Sequence, residues 1–338
     1  MRVMVTGGTG FAGSHATAAL VRAGHDVRLL VRNEEKLRRT FEPHEFEVKD
    51  FVLGDMTEQA SVEEAMEGCE AVLHTAALVS MGSERADEVT RSNLRGTELV
   101  IGGAAERGIE RILYLSSLGA LFHPRATDIR ANSDVVESRN PYTRSKANAE
   151  LYVRRLQRDG APITTVFPSA ILGPDDPALS EAMKGIGTFV NTCILRSAGG
   201  YLSVDVRDLA GVQLRLLEEG RRGGFIAAGH FLAWPQLGDL LDSITGHRVR
   251  RLPGPGWLMR AAGRVGDLAK RVVTFELPLT YEGMCFATQM PPIQDSPELA
   301  ELGIRFRDPL ETYTDALRWL VSAGHLTAGC APKLTAAG

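Results

Sequence analysis

The chain carries little of what would tie it to nucleic acid, to a bilayer or to a disulfide framework. Its formal net charge is −4 over 338 residues. There is no basic run and no interleaving of aromatic with basic residues, so no nucleic-acid partner is expected. Four cysteines (Cys69, Cys193, Cys285 and Cys330) lie far apart without paired spacing. That argues against a zinc site or a disulfide framework, predicts no metal centre, and fits a reducing cytoplasm. No apolar run is long enough to span a bilayer, so no integral membrane association is expected. A first strand at residue 2 leaves no room for a signal peptide. No internal repeat is evident. The composition is 44% hydrophobic and 24% charged, enough to bury one large core or two intimately joined ones.

What the chain does have is glycine in a telling place. Val3 to Val5 reads as a buried strand, Thr6 to Gly10 as a glycine-rich turn, and Phe11 to Ala23 as a helix that Gly24 stops. Strand, glycine turn and helix in succession form a phosphate cradle. Gly7 permits the turn, Gly10 lets the backbone approach a pyrophosphate, and Gly13 lets the helix pack closely. A second strand, residues 26–31, ends at Arg32. At that strand tip an acidic residue would bind a ribose 2′-hydroxyl, whereas an arginine suits a 2′-phosphate. Arg32, with Lys36 one turn on, therefore favours NADP(H) over NAD(H), although a solvated basic helix start would read the same way. A third strand over 47–53 leads to Asp55 and Met56. Asp55 can accept from an adenine amino group or open a capping box with Glu58.

Further strands are expected at 71–74, 111–115, 164–167 and 224–228, with helices between them. This alternation argues an α/β fold with a doubly wound parallel sheet. Small residues at Thr75, Ala76 and Ala77 would let the backbone pass under a cofactor. His74, alone in an apolar strand, reads as a satisfied structural residue. A long helix over 84–107 contains Asn93, which marks either an irregularity or a surface position. Ser116 and Ser117 end the fifth strand, where ligands bind in such sheets. Tyr142 and Lys146 stand four apart on a helix over 141–158 and share a face.

Ser117, Tyr142 and Lys146 together suggest chemistry. A lysine ammonium and an oxidised nicotinamide would both depress a tyrosine pKa toward a useful value. Tyr142 would then exchange a proton with a carbonyl or alcohol while Ser117 holds the substrate oxygen. Residues 175–200 read as a lid or substrate segment. Trp257 to Val273 reads as a helix with Arg260, Arg264, Lys270 and Arg271 beside apolar residues. A solvated helix over the substrate part is preferred there to one lying on a membrane. Residues 328–338 read as a frayed end.

With these motifs in view, the chain resembles the extended short-chain dehydrogenase/reductase family, the epimerase/dehydratase superfamily. The matching residues are Thr6 to Gly13, Asp55, His74 to Ala77, Asn93, Ser116 and Ser117, Tyr142 to Lys146, Pro168 to Pro174, and Val204 to Asp208. The resemblance implies a Rossmann-type sheet with a smaller mixed α/β C-terminal substrate lobe. The dinucleotide part would be residues 1–168 plus about 202–230, the lobe 169–201 plus 231–325, and the flexible tail 326–338. It implies a cofactor bound by Thr6, Gly7, Thr9, Gly10, Phe11, Gly13, Arg32, Lys36, Asp55, Met56, Thr75, Ala76, Ala77, Tyr142, Lys146 and Pro168. Ser117, Tyr142 and Lys146 would be catalytic. It allows a homodimer through the two long helices, or a monomer.

Three departures choose a branch. Leu118-Gly119-Ala120 stands where dehydratases carry Thr-Asp-Glu. Ala170 fills the place of an asparagine that sugar-nucleotide epimerases use for pyrophosphate. Arg32 favours NADP. The expected activity is therefore hydride transfer to or from a carbonyl or secondary alcohol of a small, fairly apolar molecule, in the manner of dihydroflavonol reductases or 3β-hydroxysteroid dehydrogenases. A sugar-nucleotide epimerase or dehydratase, and a non-catalytic cofactor sensor, are the alternatives.

Overall fold

The protein's structure, a computed structural model, describes residues 1–78, 86–124, 126–138, 140–269 and 280–335. Twelve strands are described: β1 (Arg2–Thr6), β2 (Asp26–Val31), β3 (Phe51–Leu53), β4 (Ala71–His74), β5 (Arg111–Leu115), β6 (Ile163–Pro168), β7 (Ala170–Leu172), β8 (Ile194–Arg196), β9 (Gly200–Asp205), β10 (Gly223–Ala227), β11 (His230–Ala233) and β12 (Arg251–Pro253). A parallel sheet of seven runs in the order β10-β6-β5-β4-β1-β2-β3. β1 lies at its turning point, flanked by β2 and β4. The crevice beyond the C-terminal ends of β1 and β4 is where such sheets bind ligands. The architecture is a Rossmann-like sheet with flanking helices, and small additional sheets follow in the C-terminal region (β11-β9-β7 and β12-β8).

The helices explain how the sheet is covered. They are α1 (Phe11–Arg22), α2 (Glu34–Phe41), α3 (Gln59–Met66), α4 (Ala86–Thr97), α5 (Gly103–Glu106), α6 (Pro141–Arg158), α7 (Glu181–Asn191), α8 (Val206–Glu219), α9 (Trp234–Thr245), α10 (Gly256–Ala269), α11 (Tyr281–Gln289), α12 (Pro297–Glu301), α13 (Pro309–Ser322) and α14 (Pro332–Thr335). Alternation along β1 sends Val3 and Val5 to one face and Met4 to the other. Val3 and Val5 join Leu20 of α1 and Leu209, Val212 and Leu216 of α8. Met4 joins Val62 and Met66 of α3 and Ala149 and Val153 of α6. Among the described residues no helix is long and apolar enough to cross a membrane.

Two expectations are corrected here. The helix over 84–107 is broken by a π turn at Glu98–Gly102, between α4 and α5. There Gly102 has no side chain, and the Tyr152 hydroxyl of α6 occupies the space a Cβ would take. Residues 175–200, expected as a lid or substrate segment, belong to the C-terminal region. They supply α7 and β8, and Met183, Ile186, Val190 and Ile194 are buried with Leu237, Leu241, Leu317 and Leu320 in the core of the C-terminal region. Each such side chain contributes roughly 1.5–3 kcal/mol by leaving water. The frayed end is not frayed throughout: Leu326 and Ala331 are buried in that core, and α14 packs against α9 through it. Residues 336–338, and Lys270, Arg271 and Val273 of the expected helix, lie outside the described residues.

Candidate active site

At the start of α1 the site is built from backbone. Gly10 stands at the N-cap without a side-chain cap, and the first turn of α1 carries no acidic residue. Its N–H groups and the positive end of the helix dipole are therefore directed at whatever lies beyond the turn. Gly10 N donates to Gly7 O at 2.9 Å. Gly7 takes a φ of 74°, and a Cβ on it would sit 2.5 Å from Ala76 N and 2.7 Å from Thr75 Oγ1. A Cβ on Gly13 would overlap the carbonyl of Gly7. The loop after β4 is held there by Thr75 Oγ1, which donates to Thr6 O at 2.8 Å. Thr6, Gly7, Gly10, Gly13, Thr75 and Ala76 thus meet, with Thr9 in the same turn and Ala77 continuing the facing loop. Phe11 opens the helix, its ring edge-on to His15. Gly8 serves packing, since a Cβ there would press on Leu29. These features fit a dinucleotide pyrophosphate: a cradle that only glycine leaves open, facing an uncapped helix start.

Arg32 and Asp55 stand at the tips of β2 and β3. Arg32 Nη1 lies 3.8 Å from Asp55 Oδ2 and its side chain is 66% exposed, an ion pair worth little to stability. Asp55 Oδ1 accepts from Thr57 N at 2.9 Å and Thr57 Oγ1 at 2.7 Å. The capping box with Glu58 does not form, because α3 begins at Gln59 with Glu58 itself at the N-cap. Lys36 is exposed on α2, whose start is capped by the Asn33 side chain. Met56 packs where Gly96 of α4 leaves room. His74 is structural. Its Nδ1 is 2.6 Å from Thr6 Oγ1 and its Nε2 3.3 Å from Thr97 Oγ1. Burial holds its pKa down to about 3.

The hydroxyl cluster lies past β5. Ser117 Oγ caps the short 3-10 turn Leu118–Ala120, accepting from Gly119 N at 3.1 Å. It also acts on the Tyr142 hydroxyl, opposing the burial that raises that phenol. Tyr142 occupies the first turn of α6, which Asn140 caps by accepting from Thr143 N at 3.1 Å. Lys146, one turn on, is buried, donates to Leu115 O at 2.7 Å and lies over the Tyr114 ring. Burial lowers its pKa to about 8, while the Glu150 carboxylate pushes the other way. Burial raises the Tyr142 phenol and Ser117 opposes it, while the Lys146 ammonium donates to the Leu115 carbonyl.

Two supporting devices escaped the sequence reading. Asn93, left between an irregularity and a surface position, is buried. It accepts from Leu78 N at 2.7 Å and donates to Leu78 O at 3.0 Å and Ser145 Oγ at 2.9 Å. It thereby clasps the loop after β4 to α6. Behind Lys146, Glu150 is 1% exposed and accepts from Arg154 Nε at 2.8 Å. Arg154 reaches Ser133 O at 2.8 Å and Ala131 O at 2.9 Å. Tyr142, Lys146, Glu150 and Arg154 thus form a column at four-residue spacing along α6. The spacing was visible in the sequence, but the burial that makes it a column was not.

The wall beyond Ser117 is apolar. Leu118, Leu121, Phe122, Phe167, Leu202 and Ile226 form a buried cluster, with Tyr281, Phe286 and Met290 of the α11 region half-buried against it. Phe122 and Phe286 stack at 4.3 Å. Pro168 ends β6 beside Ala227 of β10. Glu282 of α11 accepts from Ser138 Oγ at 2.7 Å and Asn140 N at 3.2 Å, joining α11 to the start of α6. Arg207 is held by both oxygens of Asp205, at 2.9 and 2.7 Å, and by Asp315 at 2.8 Å.

Residues 3–226 match the family model described as NAD dependent epimerase/dehydratase family. Sterol demethylase protein B of Methylococcus capsulatus is 28% identical over 330 residues, 96% of this chain and 99% of that protein. A putative dihydroflavonol 4-reductase of Synechocystis is 26% identical, covering 95% of each. Among solved structures, a UDP-glucose-4-epimerase from Stenotrophomonas maltophila with bound NAD superposes at a TM-score of 0.76 with 20% identity, covering 96% of this chain and 99% of that one. With the cradle, the sheet order and the matched residues taken together, the chain belongs to the NAD-dependent epimerase/dehydratase family.

Proposed function

We propose that the protein is an NADP(H)-preferring oxidoreductase acting on a carbonyl or secondary alcohol of a small apolar molecule. The observation that carries this reading is the apolar cluster of Leu118, Leu121, Phe122, Phe167 and Phe286, which begins at the residue after Ser117. The bound dinucleotide supplies or accepts the hydride. Thr6, Gly7, Thr9, Gly10, Phe11 and Gly13 hold its pyrophosphate, and Arg32 with Lys36 receives a 2′-phosphate. Asp55, Met56, Thr75, Ala76, Ala77 and Pro168 line the rest of its path. Ser117 holds the substrate oxygen, Tyr142 gives or takes its proton, and the Lys146 ammonium stabilises the phenolate and anchors the ribose. The residues stand in a cytoplasmic protein, on our reading, consistent with four free thiols.

The relatives named for a sterol and a dihydroflavonol support an apolar substrate. The solved epimerase favours a sugar-nucleotide reading, which would need cationic side chains turned to a second pyrophosphate. Arg207 is instead committed to Asp205 and Asp315. Ser117, Tyr142 and Lys146 together argue against a mere cofactor sensor.

The test is turnover of a panel of apolar ketones with NADPH and NADH, by wild type and Tyr142→Phe. Loss of general acid catalysis should lower kcat by about 10²–10⁴ with cofactor affinity retained. Full activity in Tyr142→Phe, or epimerisation of a UDP-sugar with no ketone reduced, overturns the reading.

A further inference from the structure

The faces of α10 are inverted for a helix at a protein surface. Looking down its axis, Trp257, Leu258, Ala261, Val265 and Leu268 fall within about 100° of one another. This stripe would ordinarily face the core. Here it faces out: Trp257 is 68%, Leu258 51%, Val265 67% and Leu268 62% exposed. The inward face is Met259, Gly263 and Gly266. Gly263 explains the inversion, because a Cβ there would meet Thr280 O at 2.6 Å. The helix lies by its backbone against Thr280 and Tyr281 at the start of α11, and its large apolar side chains point outward.

The patch extends beyond the helix. Leu252 of β12 and Leu195 of β8 are partners in register, and both are exposed. Gly254, between β12 and α10, packs on Met259 of the helix's buried face and beside Leu195, so this edge neighbours α10. Four large apolar side chains on one helix face, with two more on the neighbouring edge, exceed what a monomeric surface usually carries singly scattered, and such patches mark interaction sites.

Charge selects the partner. From His247 to Leu268 the chain has five arginines (Arg248, Arg250, Arg251, Arg260 and Arg264) against one acidic residue, Asp267, which accepts from Tyr281 N. Arg251 is tied to Asp239 and Asp242, and Arg260 donates to Thr288 Oγ1. Arg248, Arg250 and Arg264 are exposed, Arg264 with its guanidinium over the Tyr281 ring. An apolar stripe headed by a tryptophan and rimmed by arginines is suited to lie in the plane of an anionic bilayer surface, with the guanidinium groups at headgroup level. We infer that α10 and the β8–β12 edge dock this protein on an anionic lipid surface. The sequence alone favoured a solvated helix here. The structure reverses the choice, because it turns the apolar face to solvent.

The test uses the full-length protein and vesicles of phosphatidylcholine with and without phosphatidylglycerol. Wild type should co-float with the anionic vesicles and release as salt is raised, and Trp257 fluorescence should be quenched by brominated acyl chains. Val265→Asp with Leu268→Asp should lower partitioning by at least about tenfold, and Arg248→Gln, Arg250→Gln or Arg264→Gln by roughly fivefold each. Far-UV circular dichroism and thermal unfolding check that the variants fold. Should the aspartate variant unfold, quenching in the wild type and the single arginine variants decide. Equal binding to neutral vesicles, no binding to either, or a concentration-dependent dimer that the aspartate pair dissociates in place of vesicle binding would each overturn the inference.

Discussion

Around α1 the site is shaped by side chains that are missing; around α6 it is shaped by a column of side chains that are present, with Lys146 and Glu150 buried and Tyr142 and Arg154 half-buried. The first half depends on Gly7 and Gly13, whose absent Cβ atoms leave the turn, the helix and the loop after β4 in contact. The second depends on Tyr142, Lys146, Glu150 and Arg154, each at the depth where its neighbour needs it. A backbone-built cradle fails all at once when any atom is added. A side-chain column can lose one member and be retuned.

The largest effect should therefore come from the cradle. Gly13→Val places branched carbon inside the Gly7 carbonyl, and should lower dinucleotide affinity by at least about a hundredfold and stability by roughly 1–3 kcal/mol. Fluorescence titration and thermal unfolding measure the two. Wild-type affinity in this variant would break the contrast between the two halves.

The seam between them should respond to acid. His74 is held neutral with a pKa of about 3 and His15 with one of about 4, both chiefly by burial. The unfolded chain protonates these groups near 6.5, so it binds more protons than the native chain below that pH. Stability contributed by the neutral rings is whole above 6.5 and falls as pH drops toward 4, by roughly 1.4 kcal/mol per pH unit for each histidine. Urea unfolding at pH 7 and pH 5 should show this, and His74→Gln should flatten the slope. Lys146 has the same sense on the alkaline side. Its pKa is lowered to about 8, so the unfolded chain holds the extra proton between about 8 and 10.5, and this group's contribution rises with pH across that window.

Glu150→Gln should act less on stability, by roughly 1–3 kcal/mol, and more on the pH profile. The carboxylate raises Lys146, so its loss lowers that pKa further. The alkaline fall of kcat should move to lower pH, with cofactor affinity little changed. An unmoved limb would detach the column from the chemistry. Smallest of all, Arg32→Ala should weaken NADPH by about tenfold and leave NADH unaffected. Equal effects on both would remove the NADP preference.

How much was legible follows from range. The glycine turn and the Tyr142–Lys146 spacing are demands made by neighbouring residues on each other, so the sequence displays them. Asn93 serves Ser145, and Glu282 serves Ser138 and Asn140, across 52 to 144 residues, and nothing near them announces it. For residues 175–200 the sequence left a lid and a substrate segment open, because it does not show what their apolar residues pack against. Yet Met183, Ile186 and Val190 share one face of α7, and α9 and α13 were needed to show that this face is buried. The same limit applied to α10, where spacing revealed an apolar stripe but not which way it turned.

Glu282 has a mechanical consequence. Its carboxylate grips the backbone N–H of Asn140, and Asn140 caps the helix whose second residue is Tyr142. α11 also carries Phe286, part of the apolar wall. Whatever displaces that wall pulls on the pivot of the phenol. The position of the proton donor and the fit of the substrate are thus one coordinate, read through a single carboxylate.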